Sequence, residues 1–313
     1  MVGTVTFGVP VYNGEDYLAS SLRSLQDQVD VDVRIIVSDN GSTDTTEELC
    51  RSAARDDDRI EYHRYDENRG GIWNYQHVLD LAGEDHGRGP SDYFSWMPAD
   101  DIKLPRFAAA CVEALDEAGP DHVFACPRTE IIDSAGVVTE QLNDLHMGLD
   151  ASSPRTRVSR FLQAQASHLM YGVLRYDAVA RTRGIRSLLG DDMIIVTELL
   201  CQGRFALVPE VLFQQRRHDA QVSVNGAAAT SWFAPGTRPH RAFAQSRTNI
   251  GLYGAVRHSR LDLPETLACW SAVTTRWVLP RWRAVARDVA DAVGVNPQVG
   301  RLRARRAEQV VQG

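Results

Sequence analysis

The sequence predicts an α/β fold: a doubly wound, mostly parallel sheet over its first two-thirds, with a helical C-terminal extension. Three observations predict it. Short apolar runs alternate with amphipathic segments from Val5 to Cys126, the pattern of successive βαβ units. Runs such as Val33–Val37 (VRIIV) are rich in β-branched residues, which suits strands covered on both faces. Beyond residue 240 the pattern turns helical.

Each element has its own warrant. Val5–Val11 reads as a first buried strand. A helix follows with Leu18, Leu22 and Leu25 on one face and Asn13 as its expected N-cap. After the second strand, Val33–Val37, Asp44 or Thr45 opens a helix, and Thr45 and Glu48 have capping-box spacing. Ile60–Tyr65 is a third strand, residues 71–81 a helix, and Tyr93–Met97 a fourth strand. A helix from about Pro105 carries Phe107, Cys111 and Leu115 at helical spacing, and His122–Cys126 is a fifth strand. The alternation then stops. Thr129–Ile132 and Val137–Thr139 flank Asp133-Ser-Ala-Gly136 as a hairpin. Helical pattern returns at Pro154–Ala166 and Asp192–Gln202, and Arg204–Phe213 is again a strand. We therefore divide the chain into a catalytic region 1–223, a Gly/Ala/Ser/Pro-rich linker 224–239 and a helical extension 240–313 broken at Pro264 and Pro280.

Bulk properties narrow the function. The net charge of −7 argues against a general nucleic-acid binder. The five cysteines are scattered, never at CxxC spacing, and read as small buried side chains. The N-terminus has neither a basic nor an apolar leader region, and no apolar run is long enough to span a bilayer. A cytoplasmic location is the expectation.

In an open parallel sheet, ligands bind at the carboxyl ends of the strands. Those ends carry Pro10, Tyr12 and Asn13; Ser38, Asp39, Asn40, Ser42 and Asp44; Asn68 and Arg69; and Asp100 and Asp101. Acids and amides dominate, and neither GxGxxG nor a Walker A sequence is present. Carboxylates repel a diphosphate unless a hard cation such as Mg²⁺ or Mn²⁺ lies between them.

The blocks VTFGVPVYNGEDYLASSLRSL, IIVSDNGSTDTT, NRGGIWNYQHVL, FSWMPADDIKLP and GDDMIIVTELLCQGRFALVPEVLFQQRRHDAQVS resemble, in order and spacing, the family 2 glycosyltransferases. The resemblance covers residues 4–223 and implies the GT-A fold and an inverting, nucleotide-sugar-dependent transferase. It further implies that Pro10, Tyr12, Asn13, Asp39, Ser42, Asn68, Arg69 and Asp100 hold the nucleotide. Asp101, Asp100 and His218 would hold Mn²⁺ or Mg²⁺. His218 would either ligate the metal or touch the diphosphate, and Arg217 would neutralise phosphate. Asp192, or the adjacent Asp191, would be the general base, and Tyr171–Arg175 would lie near the acceptor. The family's Asp-x-Asp-Asp motif reads Pro98-Ala-Asp100-Asp101 here, so the contact of its first acid is lost or supplied elsewhere.

The implied partners are a nucleoside-diphosphate sugar, with UDP-sugars the family's commonest donors, and an acceptor glycan, glycolipid or small molecule. Trp277, Leu279 and Trp282 among Arg276, Arg281, Arg283 and Arg287 fit a peripheral membrane contact, a homodimer interface or packing on the main domain. A nucleotidyltransferase would require a Gly-rich basic signature after the first strand, which VPVYNGEDY lacks. A non-catalytic nucleotide-sugar-binding or scaffold protein has Pro98 as its one argument.

Overall fold

The computed structural model describes residues 3–84, 91–145, 147–186, 190–218 and 244–292. The strands are β1 (Val5–Val11), β2 (Val33–Asp39), β3 (Ile60–Arg64), β4 (Tyr93–Trp96), β5 (Ile102–Lys103), β6 (His122–Ile132), β7 (Val138–Gln141), β8 (Val173–Arg175) and β9 (Arg204–Arg216). The α-helices are α1 (Leu18–Gln26), α2 (Thr46–Asp56), α3 (Gly71–Gly83), α4 (Phe107–Ala118), α5 (Pro154–Ala164), α6 (Tyr176–Ala180), α7 (Asp191–Gln202), α8 (Ala244–His258), α9 (Leu263–Val273) and α10 (Trp282–Ala292).

The nine strands form one sheet in the order β3-β2-β1-β4-β8-β6-β9-β5, with β7 paired to β6. The β3-β2-β1-β4 block is parallel throughout, and β6 and β9 are also parallel. β8 enters antiparallel between β4 and β6. The sheet is covered on both faces, as the apolar runs require. Strand side chains alternate between faces, so Phe7, Val9, Ile35 and Val37 pack with α1 and α4, whereas Ile36, Phe94, Trp96 and Phe124 pack with α3, α5 and α7. Gly8 sits on the α3 face of β1. A Cβ there would lie 2.8 Å from both Phe94 and Val78. Gly8→Ala is therefore expected to cost about 1–3 kcal/mol, read by urea unfolding.

Several boundaries differ from the sequence reading. The fifth expected strand and the first arm of the hairpin are one strand, β6, and Gly136 closes the turn at φ +84°. Two short strands, β5 and β8, were not expected; neither is long enough to show a period. Asn13 does not cap α1, which begins at Leu18 after Tyr17. Its φ is +50°, and its Oδ1 accepts the Thr43 N–H instead. Thr45 makes no side-chain cap; Asp44 accepts the Thr46 N–H at 3.0 Å and the Glu15 N–H at 3.2 Å.

The C-terminal helices share the core of the sheet. Leu252, Ala255 and Val256 of α8 and Cys269, Ala272 and Val273 of α9 belong to the same buried cluster as α5 and α7. Pro264 opens α9 rather than breaking a helix, while Pro280 lies in a 3₁₀ turn that follows a π turn over Thr274–Val278. The linker expected at 224–239 lies outside the described residues. Among the described residues, no helix is long and apolar enough to cross a membrane.

Candidate active site

Because β1, β2 and β4 are parallel, their carboxyl ends open on one side. A small cleft lies there, lined by Pro10, Val11, Tyr12, Asn40, Asn68, Gly71, Asn74 and Tyr75. Its floor is a buried amide network. The Asn74 side chain donates to Val11 O (3.3 Å) and Ser38 O (2.9 Å) and accepts the Ser38 hydroxyl. Asn40 donates to Asn68 Oδ1 (3.0 Å) and Gly70 O (3.1 Å), and accepts the Arg69 N–H (3.0 Å). Buried amides satisfied in this way fix the loops rigidly.

The residues expected at the nucleotide divide into two sets. Pro10, Tyr12 and Asn68 line the cleft directly. Asp39, Ser42 and Asn13 instead build the turn beneath it. Asp39 is fully buried and accepts from the Ser42 N–H (2.9 Å) and the Tyr62 hydroxyl (2.7 Å). Ser42 Oγ in turn accepts the Asn13 N–H at 2.9 Å. Arg69 contributes its backbone to the network while its exposed guanidinium lies over the rings of Tyr65 and Trp73.

Asp100 and Asp101 diverge, as adjacent acids in a turn must. Asp100 faces outward, its Oδ2 3.1 Å from His218 Nε2. His218 packs on the Tyr17 ring. Asp101 is turned inward at 1% exposure, and its Oδ1 accepts the Arg216 N–H at 2.8 Å. Burial, and next the Asp100 carboxylate, push its carboxyl well above the ordinary carboxylate range. The carboxylate beside the imidazole is thus Asp100, whereas the sequence reading put Asp101 first. Among the described residues no three His, Cys, Asp or Glu side chains cluster as a complete metal cage. One carboxylate and one imidazole do fit a hard divalent ion whose remaining ligands are diphosphate oxygens and water.

The two candidate bases also separate. Asp191 Oδ2 accepts the Arg186 N–H at 2.9 Å, toward the preceding loop. Asp192 is hydrogen-bonded by Ser167 and lies close enough to act electrostatically on Tyr171. Burial raises its carboxyl above the usual value. The phenols of Tyr171 and Tyr75 are hydrogen-bonded to each other, and burial pushes both above the ordinary phenol value. Tyr75 lines the cleft, so this pair links the cleft to Asp192.

Two expected residues lie elsewhere. Arg217 is exposed and pairs with Glu140 of β7 at 3.1 Å. The neighbouring Arg216 is buried, donating to Asp100 O (2.8 Å) and Asp133 O (2.9 Å) beneath the acidic turn. Arg175 lies at the amino end of β4, where it is paired with Tyr93 and donates to His122 O (2.9 Å) and Leu115 O (2.8 Å). It ties α4 to the sheet and does not join the cleft. Conversely, Asn74, Tyr75, Ser167 and Tyr17 escaped the sequence reading. Asn74 carried a signal: a polar residue four before Val78 on a buried helix face must find partners.

The family model described as "Glycosyl transferase family 2" matches residues 6–169. A teichoic acid poly(glycerol phosphate) polymerase of Staphylococcus epidermidis is 26% identical over 187 residues, 58% of this chain and 23% of that protein. A GalNAc(5)-diNAcBac-PP-undecaprenol beta-1,3-glucosyltransferase of Campylobacter jejuni is 25% identical over 199 residues, 63% of this chain and 60% of that protein. The chain thus spans less than two-thirds of either relative's length. The crystal structure of S. aureus TarS 1-349 with UDP-GlcNAc superposes with a TM-score of 0.64 at 12% identity, covering 95% of this chain and 82% of that one. The fold is therefore shared over the C-terminal helices as well as the sheet. With the family's profile matched over more than half of its residues, and an amide-floored cleft at its strand ends, this chain belongs to glycosyltransferase family 2.

Proposed function

We propose that the chain is an inverting glycosyltransferase that moves a sugar from a nucleoside-diphosphate donor to an acceptor hydroxyl, with Asp192 as general base. The observation that supports it is a chain of contacts leading from the cleft: Tyr75, which lines it, lies within electrostatic reach of Asp100, the partner of His218, and is hydrogen-bonded to Tyr171, which lies within reach of the partly buried Asp192. Pro10, Tyr12 and Asn68 would receive the nucleoside. The UDP-GlcNAc held by TarS, a protein of the same fold, favours a UDP-sugar. A glycan or glycolipid hydroxyl is the acceptor class most in keeping with the relatives' names.

In this reading the acceptor oxygen attacks the anomeric carbon opposite the diphosphate as Asp192 takes its proton. The bond from the anomeric carbon to the diphosphate oxygen breaks, and the nucleoside diphosphate leaves with the electron pair. A single displacement inverts the centre. Asp100 and His218 would hold Mn²⁺ or Mg²⁺, which when bound supplies positive charge to the leaving diphosphate. Asp101 and Arg216 position the turn that presents Asp100.

Calorimetric titration of UDP, GDP and dTDP, with and without Mn²⁺, tests this. One nucleotide should bind only with the metal, and Asp100→Ala should weaken that binding at least about tenfold. Binding indifferent to both metal and Asp100 would leave a metal-independent transferase. Absence of any nucleotide binding would leave the scaffold reading that Pro98 suggests.

A further inference from the structure

We propose that the C-terminal helical rod docks on an anionic lipid surface through one outward face, a role separate from the transferase reading above.

The rod runs without interruption from Leu263 to Ala292: α9, the π turn, the 3₁₀ turn and α10 follow one another with right-handed helical backbone at each joint. Its inward side is committed. Cys269, Ala272, Val273 and Trp277 are buried in the core, and Asp288 accepts from the Ser246 backbone N–H and hydroxyl on α8. Its outward side carries two apolar groups, Leu263 with Leu267 four residues on, and Leu279 with Trp282 three on and Val289 seven beyond. Leu263, Leu267, Leu279, Trp282 and Val289 lie on it, each 50–70% exposed. Five of the eleven large exposed hydrophobics among the described residues are therefore on this one element. Single exposed apolar side chains need no explanation, but a row of them does.

The charge beside the row identifies the occupant. Arg276, Arg283 and Arg287 form an adjacent exposed stripe at spacings of seven and four. Arg283 lies over the Trp282 ring, and Arg281 over Trp277. No acid occurs between Glu265 and Asp288, in a chain whose net charge is −7. The basic charge is thus gathered against the Leu279, Trp282 and Val289 part of the row, contrary to the molecule's overall sign, while Leu263 and Leu267 lie by the exposed Asp262 and Glu265. Tryptophan and leucine flanked by arginines are the composition of a helix lying in a lipid interface, rings in the headgroup layer and guanidiniums on phosphate. A second copy of this chain suits the face poorly. A twofold contact would set the arginine stripes against each other.

Vesicle flotation of the full chain tests the proposal, using phosphatidylcholine alone and phosphatidylcholine with phosphatidylglycerol at 7:3. The wild type should bind the mixed vesicles, fail to bind the neutral ones, and release as salt rises. Arg283→Gln with Arg287→Gln should weaken binding about thirtyfold. Leu279→Ser with Trp282→Ser should abolish it. All four side chains are exposed, so melting temperatures should match the wild type. Equal binding to neutral vesicles, no binding by the wild type, or binding untouched by either double variant overturns the proposal. So does a dimer, detected by light scattering, that the same variants dissociate.

Discussion

Asp192→Asn should lower kcat by about 10²–10⁴-fold while nucleotide affinity changes less than about twofold. The amide keeps the shape of the side chain and can still meet Ser167, but it has no lone pair basic enough to take the acceptor proton. The cleft proposed to take the nucleotide is lined by other elements, β1, α3 and the Asn40 and Asn68 loops, so binding should persist. Asp191→Asn is the paired control. Its carboxylate is occupied by the Arg186 N–H, so its loss should leave kcat within about threefold. A large fall in Asp191→Asn with none in Asp192→Asn would exchange the two roles.

The same assignment fixes the sign of a pH profile. Burial raises the Asp192 carboxyl above the ordinary carboxylate value. A base works only when deprotonated, so kcat/KM should rise with pH through that raised pKa and then level off. The acidic limb should therefore lie above about pH 4, where an exposed aspartate titrates. In Asp192→Asn the residual rate should lack that limb. A limb at the ordinary value, or one that survives in the variant, would assign the proton transfer to another group.

Much of this was readable before any coordinates. The β3-β2-β1-β4 block could be read because buried parallel strands leave nearly unbroken apolar runs. The crevice followed because parallel strands place their carboxyl ends together. What could not be read depends on direction and parity. Arg216 and Arg217 are neighbours at the end of a strand, where adjacent side chains point to opposite faces. One turns in under Asp100 and the other out to Glu140, and nothing in RRH says which. Tyr171 and Arg175 are four residues apart, yet β8 runs antiparallel to β4. The short chain between them therefore crosses from the site to the far end of the sheet. A three-residue strand has no period from which to read its direction. The buried Asp101 and outward Asp100 are likewise decided by the Arg216 N–H, a contact 115 residues away in sequence.

Glu198→Ala should destabilise the fold by about 3 kcal/mol, and so lower the melting temperature by roughly 5–10 °C. Glu198 lies on α7, six residues after Asp192, and is completely buried. It accepts from Arg183 Nε at 2.8 Å and from the Arg183 N–H at 3.1 Å. The same guanidinium donates to Gly251 O of α8 at 3.0 Å. One buried carboxylate thus joins α7, the loop before it and the C-terminal helices. Deleting it leaves the largely buried Arg183 guanidinium without its counter-charge, which costs more than the lost hydrogen bonds alone. Glu198→Gln keeps one acceptor oxygen and should lose only about half as much. Arg183→Met with Glu198→Leu removes both charges together and should recover much of the loss. Glu198→Leu alone fills the space but still strands Arg183, so it should stay near the loss of Glu198→Ala; recovery only in the double variant would separate a stranded charge from a mere cavity. The role is one of position: the loop that Arg183 anchors leads directly to the α7 N-terminus, where Asp192 is held. Glu198→Gln should therefore retain nucleotide binding while kcat falls, because the cleft proposed for the nucleotide is lined by β1, α3 and the Asn40 and Asn68 loops, not by α7.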